Sequence, residues 1–383
     1  MSRLKRWSST IIDETQSRSN LLGFEKPRSP YQMKRRSILS AFATAMALPS
    51  VSRAQALGQA TGHSPTMTLM VAGPQGDLTS RWANAFALAM QSDLPGAPSI
   101  VTSSVGGLDG ITGANQLDTL MIPDGTNAAM LPGATLMAYL TRDVRVHYDP
   151  TKWTPVLAGC NSGVLMLRAA KGTVPTLETL QKLAPLRFGA ASQQSSDLAA
   201  LLALARLGVK TAPVFGLHSD TEKTNAFIAG TVDAVFICGE GVPEDLDALV
   251  ASGAVPAFCI GSPAPDGRIG PDPLFPTLTL ATALGPAVSP MLDSAYEAAA
   301  TAARLDFMLV LPHLTAANAI AQWRSAALDA ARNPAIAAAA QASSISLQPA
   351  IVLSGMLATL TSVPIIQQQL LAFLTTTYGW QSD

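Results

Sequence analysis

The sequence predicts an α/β protein of two domains, and three observations carry that prediction. Short apolar runs alternate with longer stretches of helical periodicity from residue 66 onward, the pattern of βαβ units around a mostly parallel sheet. The chain has 383 residues, enough for two buried cores at roughly 150 residues per domain. Its composition, 48% hydrophobic against 13% charged, is that of a packed chain rather than a disordered one. Three cysteines (Cys160, Cys238, Cys259) with no CxxC spacing, and four scattered histidines, exclude a disulfide-stapled miniature and disfavour a zinc fold.

In chain order, the first element is an address. Residues 33–56 join a basic region (Lys34, Arg35, Arg36), an apolar stretch from Ile38 to Val51 and small residues at Ala54 and Ala56, the build of a bacterial export signal. Arg35-Arg36 followed by Ser37-Ile38-Leu39 resembles the twin-arginine pattern, and an ordinary secretory signal fits equally well. Residues 1–32, rich in Ser and Arg, read as an extension or as sequence upstream of a start at Met33. Ten of the 25 Lys and Arg but three of the 26 Asp and Glu lie in residues 1–56, which leaves 15 basic and 23 acidic residues and a net charge of −8 beyond them. So acidic a body does not attract a phosphate backbone, which excludes nucleic acid as an expected partner and leaves any anionic ligand to local donors. Export to an oxidising compartment makes an odd cysteine count informative, because at least one thiol stays free. Cys238 and Cys259 fall in apolar runs and read as small buried hydrophobes, with a disulfide between them as the alternative.

Met67 to Ala72 is the first predicted strand, and Asp77 to Ser92 the helix after it, with Trp82, Phe86 and Met90 on one face at i, i+4 and i+8. Ser99 to Ser103 is a second strand, leading into the Gly-rich segment Val105 to Asn115. Thr119 to Ile122 is read as a third strand ahead of the turn Pro123-Asp124-Gly125-Thr126, and Val156 to Leu167 as one further strand. Helices at Thr176–Ala184, Ser195–Leu207, Asp220–Ala229 and Pro243–Ser252 then alternate with strands at Leu186–Ala190, Ala212–Phe215, Val232–Cys238 and Val255–Ile260. Gly261 to Pro276 is an exposed connection. Leu305 to Leu311 is a strand, followed by helices at about Thr315–Ala331, Pro334–Ser343 and Ala350–Tyr378. Ile351 to Ile366 is apolar, but it falls short of the ~20 residues a membrane span needs and is interrupted by Pro364, so it reads as a buried C-terminal helix.

The chain has no GxSxG elbow, HExxH or P-loop, and the glycines at 106, 107, 110 and 113 form only a weak GxxGxxG. No cofactor and no metal are expected. Small polar residues collect instead at three strand-to-helix junctions: Gly73-Pro74-Gln75-Gly76-Asp77; Gly106 to Thr112, with Gly107, Gly110 and Thr112; and Ala190 to Asp197, with Ala191, Ser192, Ser195 and Ser196. Free backbone amides at a helix N-terminus beside hydroxyl or amide side chains suit a carboxylate. Ordinary helix capping by Asp77, Ser195, Ser196 and Asp197 is the competing reading for each junction taken alone. Three junctions together fit the rule that open α/β sheets bind ligands at the carboxyl ends of their strands.

Five segments in order carry a family resemblance: Leu69 to Asp77 with Arg81, Gly107 to Asn115, Tyr148-Asp149-Pro150-Thr151-Lys152-Trp153, Phe188 to Ser196, and Ala229-Gly230-Thr231-Val232-Asp233-Ala234-Val235-Phe236. Across residues 66 to about 350 the chain resembles the TctC or Bug family, the periplasmic solute-binding receptors of tripartite tricarboxylate transporters. The resemblance implies a two-lobed type II periplasmic-binding fold that closes on a small organic acid, such as a dicarboxylate, a tricarboxylate or an aromatic acid, and delivers it to membrane permease subunits. It implies crossings near Leu167 and Leu305, with one domain of residues 66–167 plus 305–383 and another of 168–304. The carboxylate would lie between the Gly73–Asp77 and Ser192–Ser196 loops. The chain departs from the family pattern in a shorter first loop, in Asp109 within a turn meant for an anion, and in a longer Gly285–Arg304 segment. The rival readings are an exported enzyme, with Cys160 as its nucleophile, and a ligand-sensing adaptor.

Overall fold

The computed structural model describes residues 66–380 apart from 170–174, 183–184, 241 and 265. The export-signal reading of residues 33–56 and the reading of 1–32 lie outside the described residues.

The first sheet opens with β1 (Thr66–Ala72), which turns through Gly73–Asp77 into α1 (Leu78–Met90). Asp77 starts the helix, its side chain accepting from the Ser80 amide at 2.7 Å. Trp82, Phe86 and Met90 are buried, as their spacing predicts. β2 (Ser99–Val105) pairs parallel with β1. α2 (Ile111–Thr119) begins at Gly110, whose φ of 69° belongs to glycine. β3 (Asn127–Pro132), α3 (Ala134–Leu140) and β4 (Thr154–Cys160) follow.

Two strand assignments change here. Thr119–Ile122 is not a strand: it is the end of α2 and an exposed link in which Leu120 and Ile122 face solvent. The strand lies beyond the turn, where Ala128, Ala129, Met130 and Leu131 are wholly buried. With no β-branched or aromatic residue it carries little intrinsic β preference, so the pairing with β1 imposes the conformation. Val156–Leu167 is two strands, because Asn161 and Ser162 break the apolar run and β5 (Gly163–Arg168) enters a second sheet. The first crossing therefore falls at Asn161–Ser162 rather than near Leu167.

The second sheet is built from β5, α4 (Leu177–Lys182), β6 (Leu186–Gly189), α5 (Asp197–Arg206), β7 (Thr211–Val214), α6 (Asp220–Ile228), β8 (Ala234–Cys238), α7 (Val242–Ala251) and β9 (Ala254–Cys259). A small hairpin, β10 (Ser262–Pro263) with β11 (Ile269–Gly270), occupies the exposed connection. α8 (Pro290–Arg304), which the sequence reading missed, starts on a Ser289 cap and returns the chain to the first sheet through β12 (Leu305–Leu311). α9 (Ala317–Ala331), α10 (Pro334–Ala342), β13 (Ser346–Pro349), α11 (Ala350–Ala358) and α12 (Val363–Tyr378) complete it.

The strand orders are β13-β4-β12-β3-β1-β2 and β7-β6-β8-β5-β9. The sheets are mixed rather than mostly parallel. The βαβ portions are parallel, whereas β5 and β12, which arrive from the other sheet, run antiparallel to both neighbours. The two passages are fastened together, since the Asn161 amide donates to the Arg304 carbonyl at 2.8 Å. Buried Arg304 donates from Nε to the carbonyls of Ile260 (3.1 Å) and Gly261 (3.2 Å). The first turn of α3 presses against this junction: a Cβ on Gly133 would stand 2.3 Å from the carbonyl oxygens of Ala302 and Leu305.

The segment Ala350–Tyr378 is long and apolar enough to cross a membrane. One face is buried through Leu353, Leu360, Leu370 and Leu374, while Ile351 and Ile365 on the other are exposed. All three cysteines are free. The alternative Cys238–Cys259 disulfide fails because β5 runs between their strands, with Gly163 opposite Cys238 and Val164 opposite Cys259. Two strand spacings, roughly 9–10 Å, exceed the Cα separation of about 7 Å that a disulfide can bridge.

Candidate functional site

A cavity of about 730 Å³ opens between the sheets beside the two passages. The first sheet's side contributes Leu78 and Arg81 of α1, the β3–α3 junction at Pro132–Ala134, Asp306 of β12, and Ala342 and Ser343 at the end of α10. The second contributes Ser196 at the start of α5, Asp220 at the start of α6, and Cys238, Gly239 and Glu240 where β8 ends. Glu240 ties the two sides together: it lies 3.3 Å from Arg81 Nη2, and Ser343 Oγ donates to its other oxygen. The Arg81 guanidinium is mostly exposed, so this tie holds the walls only weakly. Asn161, which accepts from the Cys238 thiol at 3.4 Å, lines the cavity at the passages.

Three carboxylates face this space, against one cation. Burial, reinforced by the Glu240 charge, pushes the Asp306 carboxyl up to about 6. Its Oδ2 is closed to solvent and has no hydrogen-bond partner among the described residues. Burial also raises Asp220, against the pull of Lys223. Lys223 sits behind the wall, with Nζ 2.7 Å from Asp197, 3.2 Å from Asp220 and 3.2 Å from the Phe236 carbonyl. Burial alone would lower its pKa, but the two carboxylates outweigh it and leave Lys223 raised.

The three junctions singled out as anion sites are each filled by a carboxylate of this chain. In the first, Asp77 caps α1 and the Gly76 amide donates to Ser80 Oγ at 2.9 Å. In the second, Asp109 accepts from the Ile111 amide at 3.2 Å and from Arg145 at 2.7 Å. In the third, fully buried Asp197 accepts from the Ala191 amide at 2.8 Å and from Ser195 Oγ at 2.9 Å, besides its pairing with Lys223. Of the twelve residues expected to hold the ligand, Ser196 alone lines the cavity. Gly73, Pro74, Gln75, Gly76 and Asp77 stop one residue short of Leu78; Ala191, Ser192 and Ser195 fold back on their own cap; Gly107, Gly110 and Thr112 lie outside it. Each junction is thus also a helix start satisfied from within the chain.

Ser195→Ala accordingly should cost about 1 kcal/mol of stability, read by urea unfolding, and leave solute affinity unchanged in a calorimetric titration. The residues that do face the cavity left fainter traces in the sequence. Asp306 is the lone charge in the apolar strand Leu305–Leu311, and Glu240 follows the carboxyl end of β8, where ligands bind in open α/β sheets.

No family model matches the sequence, and no curated protein matches it. Among solved structures, a TctC solute-binding protein from Polaromonas, without ligand, superimposes with a TM-score of 0.62 at 16% identity, over 80% of this chain and 98% of that one. The chain has the TctC solute-binding-protein fold. MatC from Rhodopseudomonas palustris with bound malate matches this TctC fold at a TM-score of 0.50 and 17% identity, over 79% of this chain and 98% of its own. A second R. palustris protein, with adipate, gives 0.51 and 14%, over 82% and 98%. As a nucleophile within the TctC fold Cys160 is unsuited: it is 1% exposed, burial pushes its thiol up to about 12, and its sulfur lies 4.0 Å from Met356 Sδ in the core.

Proposed function

We propose that this chain is an exported, periplasmic solute receptor that captures a small organic carboxylate without transforming it and presents it to a tripartite tricarboxylate-type membrane permease. The observation that carries the reading is the cavity lined from both sheets at the two chain passages. A two-lobed receptor works only if the ligand touches both lobes, because a contact made in the closed state alone shifts the open–closed balance. The lobes of this reading are residues 66–160 with 305–383, and 163–304. The malate and adipate held by proteins of this fold support a small acid. The donors available to its carboxylate are the Arg81 guanidinium, beyond its contact with Glu240, and the Ser196 hydroxyl.

The test is a thermal-shift screen of the mature chain against organic acids and amino-carboxylates, followed by calorimetry and chemical assay of the recovered solute. Saturable binding of an unaltered solute is expected; turnover, or no stabilisation by any member of the set, overturns the reading. Arg81→Ala should weaken capture of the acid by roughly tenfold or more, the cost of a charge-assisted hydrogen bond, about 1.5–3 kcal/mol.

A further inference from the structure

We propose that the solute also carries a protonated nitrogen, received on the Asp306 side of the cavity, with Glu240 and Asp220 completing the counter-charge. The inference rests on the receptor reading and adds the charge of the ligand to it.

The cavity's own balance is the first argument. Asp220, Glu240 and Asp306 line it against Arg81, and Arg81 already lies against Glu240. Lys223 is engaged behind the wall by Asp197 and Asp220. A dicarboxylate would bring two more negative charges to a space with a surplus of them; the short α3 starts at the wall, at Gly133–Ala134, while the starts of α1 and α5 already hold Asp77 and Asp197.

The second argument is Asp306 itself. It interrupts a strand whose other residues, Leu305 and Phe307 to Leu311, are buried and apolar. Its Oδ2 meets no donor among the described residues. Even with Asn161 beside the carboxyl, an enclosed oxygen without a donor opposes folding, so what it does for the chain lies outside the packing. Among the described residues no His/Cys/Asp/Glu group has the arrangement of a metal site, so the cation that fits is organic. An ammonium brings three donors, and Asp306, with Glu240 near enough to raise its carboxyl, offers acceptors on the same cavity wall.

Asp306 supplies its own control. Its carboxyl, raised in the fold, contributes stability below the ordinary carboxylate range near 4 and loses it as pH climbs through about 6. The groups acting on it are Glu240, Asn161, Arg81 and Asp77. Asp306→Asn should therefore melt higher than the parent at pH about 8, with the gap closing toward pH about 4. That readout shows that the variant is folded.

The experiment is calorimetric titration of the mature chain and of Asp306→Asn, at near-neutral pH, with three six-carbon probes: hexamethylenediamine, ε-aminocaproate and adipate. A thermal-shift panel of further amino-carboxylates and dicarboxylates runs beside it. An amine-bearing probe or panel member should bind roughly tenfold or more tighter than its dicarboxylate counterpart, and Asp306→Asn should erase that preference. Dicarboxylates binding while no amine binds would overturn the inference and leave the receptor reading standing. No binding in either class would overturn both. An amine preference that survives Asp306→Asn would overturn the role of Asp306.

Discussion

Lys223→Met is expected to lower the stability of the chain by about 3–5 kcal/mol, because it strands a buried carboxylate. Asp197 is 0% exposed, and among the described residues Lys223 is its only cationic partner, at 2.7 Å. The Ala191 amide and Ser195 hydroxyl would remain on Asp197, but neither neutralises it. Asp220, 3.2 Å from the same ammonium, would be left uncompensated as well. Urea unfolding would show the loss as a lower midpoint with an unchanged slope. Adding Asp197→Asn should restore part of it, since the buried charge then disappears along with its partner. Because the pair raises the Lys223 pKa, its contribution persists through neutral pH and is lost only as pH climbs past the usual lysine range. The gap between parent and variant should narrow in strong alkali and hold steady between pH about 6 and 9. A loss below 1 kcal/mol would mean that water or another cation reaches Asp197.

Phe307→Ala should cost a similar amount, about 3–5 kcal/mol, by a different route. Phe307 is 0% exposed in β12 and packs against Trp82 (ring centroids 5.2 Å apart) and Phe86 (5.9 Å). Its ring lies over Gly159 of the neighbouring strand, where a Cβ would stand 2.3 Å from it. Removing the ring opens a void that backbone on one side and two aromatics on the other cannot easily collapse to fill. Phe307→Leu, which refills most of the volume, should cost visibly less in the same unfolding measurement. Equal losses for the two variants would show that ring shape matters more than volume.

The sequence was most legible where one physical signal dominated. The i, i+4, i+8 spacing of Trp82, Phe86 and Met90 located α1, and the alternation from Leu186 to Cys259 located the second sheet almost element by element. It was least legible where tertiary pairing decides. β3 (Asn-Ala-Ala-Met-Leu-Pro) has no β-branched or aromatic residue, so only its place between β1 and β12 makes it a strand, and the β4–β5 boundary is marked by nothing more than Asn161-Ser162. α8 was missed although its signals are in the sequence: Ser289-Pro290 opens it, and Leu292, Ala295, Tyr296 and Ala299 mark a buried stripe at helical spacing.

The candidate site was less legible for a related reason. Glycines, serines and aspartates at a helix start look the same whether they receive a ligand's carboxylate or are satisfied by one from their own chain. Asp197 settles its loop from within, and a single sequence does not show which way its side chain turns. Asp306 and Glu240 were overlooked because isolated acids in a list of strands carry no motif. Their meaning comes from the cavity that β12, β8 and α6 converge upon.

The place of β12 in the first sheet also sets an order of assembly. β12 lies between β3 and β4, yet it is separated from β4 along the chain by the whole of the second sheet. A polypeptide emerging from its N-terminus has every strand of the second sheet in hand at Cys259, while the first still has a gap at its centre. Until Leu305–Leu311 arrives, the facing edges of β3 and β4 remain open to any other extended segment. Closing them requires contacts of long sequence separation, which are slow to form. The half of the molecule begun first is therefore the half finished last, and for that interval its unpaired edges are the chain's most exposed point for misassembly.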